Sequence, residues 1–173
     1  MKQSIKVNEL YELLIIYGED ILASEGMKKS AGFVQHGGVS TYDHSVAVAL
    51  CSLKMALRLS SALGLNVNLR SLVRGALLHD YFLYDWHDPS RTPRFHGYTH
   101  PKTALLNAER DFCLNNIERD IIKKHMFPLT PIPPRYIESF IVMVADKICA
   151  TRETIAERFL TKLKPKRNHN GLY

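Results

Sequence analysis

Apolar residues recur along this chain at intervals of three and four, the period that gathers them on one face of an α-helix. Leu10, Leu13, Leu14, Tyr17 and Ile21 give an amphipathic first helix that should end near Gly26. After a loop, Gln35-His36-Gly37-Gly38-Val39, the run Ser40-Thr41-Tyr42-Asp43 reads as a capping box. It opens a long helix to Leu63, with Gly64 as its stop. Asn68 suits the N-cap of the next helix, whose apolar run ends in His79-Asp80. Periodicity then dissolves over residues 81–99, a length more typical of a binding loop or lid than of a connection. Pro101 fits the first position of a new helix through Ala104, Leu105 and Ala108. A further helix spans residues 117–125 and stops before Pro128-Leu129-Thr130-Pro131-Ile132-Pro133-Pro134. The last carries Ile141, Val142, Val144, Asp146 and Ile148 and extends toward Phe159. With no strand pair, repeat or second-domain boundary evident, the pattern predicts a single all-α domain over residues 1–164 and a basic tail at 165–173.

Composition agrees with a globular chain: 173 residues, 46% hydrophobic and 23% charged, enough to bury a core. The formal charge of +6 lies largely in the tail around Lys162, Lys164, Lys166 and Arg167. A solvated terminus explains such a tail more simply than contact with nucleic acid or lipid. Cys51, Cys113 and Cys149 are odd in number, widely spaced and set within apolar patterns. Buried free thiols in a reducing cytoplasm are therefore expected. The start Met1-Lys2-Gln3-Ser4-Ile5-Lys6 has no apolar run of signal-peptide length, and no stretch of about 18 uninterrupted apolar residues suggests a membrane span.

The chemistry lies in polar groups on apolar faces. His44 shares its helix face with Ala47, Val48, Cys51 and Met55. His125 lines up with Leu114, Ile117, Ile121 and Ile122, and Asp146 with Val142, Met143, Cys149 and Ala150. Burying an unpartnered carboxylate costs on the order of several kcal/mol or shifts its pKa strongly. Taken singly, an inward histidine is more often a satisfied core residue than a ligand. An aspartate near a helix end is more often a cap or ion pair, and Lys147 or Arg152 offers Asp146 a partner. Together, His44, His79, Asp80, His100, His125 and Asp146 favour a divalent metal site. Neutral imidazole with carboxylate suits iron, manganese or zinc. His96 competes with His100, but Pro101 would place His100 at the cap of a helix, on a rigid element.

The order His44, His79-Asp80, Asp146, in the contexts Tyr42-Asp43-His44-Ser45-Val46-Ala47, Leu77-Leu78-His79-Asp80 and Val144-Ala145-Asp146-Lys147-Ile148, resembles the HD-domain superfamily of metal-dependent phosphohydrolases. The resemblance runs from about Gln35 to Arg152. It implies one metal on His44, His79, Asp80 and Asp146. It also implies a second ion on His100 and His125, with Asp80 bridging and Asp80 and His79 at the centre of catalysis. Two such ions, iron or manganese or else cobalt, nickel or zinc, would activate water and take up phosphoryl charge.

Lys147, Arg152, Arg91 and Arg94 are then candidates for substrate phosphate. Trp86, Tyr81 or Tyr84 could stack on a base, and His36, His87 and His96 are surplus histidines. Guanosine polyphosphate hydrolases and 5′-deoxynucleotidases carry a Glu where this chain has Leu83. Cyclic-dinucleotide phosphodiesterases of the HD-GYP type have Gly-Tyr-Pro where it has His125-Met126-Phe127-Pro128. The dinuclear pattern is similar to that of bacterial symmetrical dinucleoside-tetraphosphate hydrolases. The implied activity is hydrolysis of a phosphate ester or anhydride of a nucleotide-type substrate, with a dinucleoside polyphosphate foremost. Alternatives are a non-catalytic nucleotide- or metal-binding module, or a phosphodiesterase or 5′-nucleotidase on another nucleotide. The expected partner is a phosphorylated small molecule rather than a membrane or nucleic acid, and a homodimer stays open.

Overall fold

The computed structural model describes residues 7–36, 38–86 and 96–163, with backbone alone at 36, 96 and 161–163. Arg91, Arg94, His87, the side chains of His36 and His96 and the tail at 165–173 lie outside the described residues. Seven helices are described: α1 (Val7–Leu22), α2 (Glu25–Ser30), α3 (Thr41–Leu63), α4 (Leu69–Leu78), α5 (His96–Asp111), α6 (Asn116–Lys124) and α7 (Ile137–Leu163). A two-stranded antiparallel hairpin, β1 (Val34–His36) and β2 (Val39–Ser40), precedes α3.

Short polar side chains start these helices. The Asn68 side chain accepts from Ser71 N at 2.9 Å to open α4, and the buried Glu138 of α7 accepts Asn68 N at 2.7 Å. Asn115 and Glu118 form a reciprocal capping box on α6. At α3 the Ser40 hydroxyl accepts from Asp43 N at 3.1 Å and donates to the Asp43 carboxylate at 2.7 Å, so the cap is real. The return bond expected of Asp43 goes to that hydroxyl instead of the Ser40 backbone. Gly64, at φ 66°, closes α3 in the left-handed conformation that glycine adopts without strain.

Helix α4 is central: all residues from Ser71 to Leu78 are buried, and α1, α3, α6 and α7 pack around it. Its Arg74 crosses the core boundary to Asp20 of α1, at 2.6 and 2.8 Å, and to Glu118 of α6, at 3.3 Å. By length and composition α3 could also cross a bilayer. Here it packs along α4 and α7 and buries His44, Ser45 and Ser52, as a core helix does.

Four expectations change. The first helix ends at Leu22, and Ser24 caps a separate α2 that contains Gly26. A Cβ at Gly26 would collide with the Tyr81 hydroxyl, so the glycine serves close packing rather than helix termination. The segment read as a loop contains the β1–β2 hairpin. Helix α5 begins at His96 and holds Pro101 in its interior, so His100 lies within the helix and not at its cap. Cys113 is exposed just beyond α5, whereas Cys149 is buried and Cys51 half-buried.

Helices α4 and α6 approach closely at Gly75, where an added Cβ would meet the Ile121 side chain, its Cβ at 2.9 Å. Gly75→Val should cost about 1–3 kcal/mol through overpacking, read as a lower midpoint in urea. An unchanged midpoint would mean that α4 and α6 do not pack this closely.

Candidate metal centre

Five segments deliver the six residues. His44 lies in the first turn of α3, and Asp146 lies in α7 with its face turned to the core. His79 and His125 are the residues that end α4 and α6. There each ring uses a helix-terminal carbonyl: His79 Nδ1 donates to Ala76 O at 2.7 Å, and His125 Nδ1 to Ile122 O at 2.8 Å. A carbonyl only accepts, so the proton sits on Nδ1 and Nε2 is turned the other way. His100 comes from α5.

The chain after Asp80 leaves the centre sharply. Tyr81 N closes a last turn on Leu78 O at 3.2 Å, and Asn107 Nδ2 of α5 donates to Tyr81 O at 3.1 Å and Phe82 O at 3.0 Å. Leu83 follows at φ 59°, a left-handed conformation costly for a leucine. Asn107 and this turn hold the carboxylate of Asp80 against the histidines.

The donors fall into two buried groups, His44–His79–Asp146 and Asp80–His100–His125, each with its ligand atoms within 4.8 Å of one another. In the first, His44 Nε2 lies 3.2 Å from Asp146 Oδ1 and His79 Nε2 lies 3.7 Å from it. In the second, His100 and His125 approach Nε2 to Nε2 at 2.8 Å. Asp80 stands between them: Oδ2 is 3.4 Å from His79 Nε2 and 3.9 Å from His44 Nε2. Its Oδ1 is 3.2 Å from His100 Nε2 and 3.5 Å from His125 Nε2.

Electrostatics explain why the groups stay charged. Burial alone would raise Asp80, but the His79 charge and the nearness of the His100, His125 and His79 rings hold it well below the usual carboxylate range. Burial likewise opposes, and His44 and His79 outweigh it, in keeping Asp146 low. Burial would lower His44, yet bonds from Asp146 and Glu153 raise it to about 9. His79 is raised against burial by Asp80 and Asp146. His125 is lowered, chiefly by burial. Protons on His44 and His79 thus supply positive charge that a cation would otherwise bring. The donor set fits a divalent metal: His79 Nε2 and Asp80 Oδ1 are buried without a hydrogen-bond partner, and the ring nitrogens converge on carboxylate oxygens.

Residues expected around the site are less uniform. Tyr81 is core, 2% exposed, with its hydroxyl on Asp111 at 3.1 Å and its ring against Phe112, so it is not a platform for a base. Trp86 is half-buried against the core. The Tyr84 phenol, near Asp80 and stacked beside Phe82, is pushed up to about 12 by burial and then by the Asp80 charge. Lys147 donates to His125 O at 2.9 Å and Met143 O at 3.5 Å, bracing the end of α6. Arg152 lines two open depressions, one with Lys147 and one with Cys51, Cys149 and Glu153.

Two polar residues at the centre escape sequence reasoning. The buried Gln35 of β1 donates to Asp80 Oδ2 at 2.5 Å. No local pattern marks it, because only the hairpin brings it there. Glu153 of α7 accepts from His44 Nδ1 at 2.9 and 3.1 Å. Its signal was present: it lies seven residues after Asp146, on the same helix face.

Comparison with known proteins agrees with this geometry. One curated relative, dihydroneopterin 2′,3′-cyclic phosphate phosphodiesterase of Methanocaldococcus jannaschii, is 30% identical over 122 residues, which cover 67% of this chain and 48% of the relative. The chain therefore spans about half the length of that protein. No solved structure gives a significant match. The sequence profile described as HD domain matches residues 41–151, from the start of α3, through both donor groups, to α7, and the chain belongs to that family.

Proposed function

We propose that this chain is a metal-dependent phosphohydrolase acting on a phosphate ester or anhydride of a nucleotide-type substrate. The observation that carries the reading is a pair of buried three-residue donor groups, with the carboxylate of Asp80 lying between the histidines of one and those of the other. Such a pair suits two divalent ions, with iron or manganese favoured by the mixed imidazole and carboxylate set and cobalt, nickel or zinc compatible with it. His44, His79, Asp80 and Asp146 would hold the first ion, and Asp80, His100 and His125 the second. Bound there, divalent cations supply an activated water near neutral pH and stabilise charge on the phosphoryl oxygens.

The remaining work belongs to the chain's own groups. The helix-end carbonyls of Ala76 and Ile122 keep the His79 and His125 rings in place, and Gln35 and Asn107 fix Asp80 and the turn that follows it. The Tyr84 phenol, at about 12, keeps its proton through the neutral range. Lys147, held on the His125 carbonyl, stiffens the support of a ligand as well as adding positive charge. Arg152 remains a candidate for the substrate's phosphates. Arg91, Arg94 and Trp86 belong to, or border, the segment that would choose the substrate.

Two substrate classes follow. A dinucleoside polyphosphate is the first. The named activity of the relative favours a second, a cyclic phosphodiester of a nucleotide-like compound. Product release over a panel of dinucleoside polyphosphates, 2′,3′-cyclic nucleotides and mononucleotides, with added Mn²⁺ or Fe²⁺, separates the two. Asp80→Ala should lower the rate with the preferred substrate by a factor on the order of 10³. A variant as active as the parent would exclude Asp80 from catalysis, and a parent inactive on every class would leave the non-catalytic module.

A second test uses pH. With His44 raised from 6.5 to about 9 in the fold, the stability it gives the metal-free chain is full below about 6.5 and is lost as pH rises through about 9. That amounts to roughly 3 kcal/mol over the window. A cation needs the deprotonated ring, so its stabilisation has the opposite slope. The rise in Tm on adding Mn²⁺ should therefore grow from pH 6.5 to 9. A rise that is the same at every pH would remove His44 from the ligand set.

A further inference from the structure

Three of the four candidate histidines have an identified partner on the ring nitrogen away from the donor groups, and the partners differ in charge. His79 and His125 use neutral backbone carbonyls of their own helices. His44 instead meets the carboxylate of Glu153, whose two oxygens lie 2.9 and 3.1 Å from Nδ1. The contact is nearly dry: the His44 side chain is 0% exposed and that of Glu153 12%. It also reaches across the fold, from α7 to the first turn of α3.

Packing does not demand this contact. Of the α7 residues around it, Thr151, Arg152, Ile155 and Ala156 are exposed, and Glu153 and Thr154 are half-buried. A carbonyl would have been enough to fix the ring, as at His79 and His125. A carboxylate does more, because it accepts the Nδ1 proton and makes the opposite nitrogen, Nε2, a stronger donor. Nε2 is the atom that faces Asp146 at 3.2 Å. A charge count points the same way. A doubly charged ion between neutral His44 and His79 is balanced by Asp146 and Glu153 together, which leaves Asp80 to be shared with the second group.

We propose that Glu153 is a positioning residue for the first donor group, fixing His44 and strengthening the hold of His44, His79 and Asp146 on a divalent cation. This rests on the metal reading above. Its effect is local, because the contact is to His44.

The test is equilibrium binding of Mn²⁺, and of Co²⁺ followed by its visible absorption, to metal-free full-length protein. It is run in a His125→Ala background, so that the ion bound reports the first group. Glu153→Leu should weaken that ion 10- to 100-fold and change the Co²⁺ spectrum. Glu153→Gln, which keeps an acceptor for Nδ1 and loses the charge, should fall between Leu and the parent. With His125 restored, affinity at the second group should stay within about twofold. Where the leucine variant does not fold, the isosteric Gln variant decides alone, by weakening the first ion several-fold while unfolding normally without metal.

Parent-like affinity in both variants, with Asp146→Ala losing the ion, would reduce Glu153 to a structural partner. Equal weakening at both groups would also overturn the proposal. Parent-like binding in Asp146→Ala and His79→Ala would instead sink the metal reading, and this inference with it.

Discussion

The constraint behind this structure is the burial of two carboxylates, Asp80 and Asp146, in the core of a small helical domain. They are 3% and 7% exposed, which is tolerable for ionised groups only with countercharge at hand. The fold meets that need with imidazoles, His44 and His79 carrying the charge, and not with arginine. The distinction matters chemically, since an arginine would neutralise the site permanently. A histidine can give up its proton and offer a lone pair in its place. Arg74, the buried permanent cation of α4, is committed to Asp20 and Glu118, away from the centre.

Geometry follows from where the helices end. His79 and His125 both sit one residue past a helix, where backbone carbonyls lack helical partners. Those carbonyls orient the rings, so the loss of regular structure at two helix ends becomes useful. The same ends explain the strain nearby. Asp80 must point back at the histidines while the chain leaves in another direction, and Leu83 turns it in a conformation a leucine ordinarily avoids. Asn107 ties that turn to α5, the helix that also carries His100, so hydrogen bonds join two of the segments that bear candidate ligands.

Much of this could be read from the sequence because a helix has a fixed period. His44, His125 and Asp146 each stand in line with apolar residues three and four positions away, and all three are buried. Caps at Ser40, Asn68 and Gly64 are local chemistry and fall where the residue types imply. Failures came where partners far apart in sequence decide the outcome. Gly26 looks like a helix stop, yet the Tyr81 hydroxyl is what excludes a side chain there. Pro101 suggests a helix start, but α5 carries it inside. Tyr81 follows the His-Asp pair as if to meet substrate, and the core takes it instead. Gln35 gave no sign at all, because a hairpin with strands of three and two residues is too short to show alternation.

The two donor groups are alike in size and unlike in charge. The first contains Asp146 and is backed by Glu153, whereas the second contributes one carboxylate, Asp80, which also lies 3.4 Å from His79 of the first. On the proposed reading, a cation in the first group is close to neutralised by the protein. One in the second retains more of its charge for whatever approaches from outside. A phosphoryl oxygen is the kind of ligand that such an incompletely balanced cation attracts. On that reading the first group would chiefly anchor and the second would chiefly engage substrate. That division would follow from the placement of one aspartate, Asp80, between His79 at the end of α4 and His100 and His125 of α5 and α6.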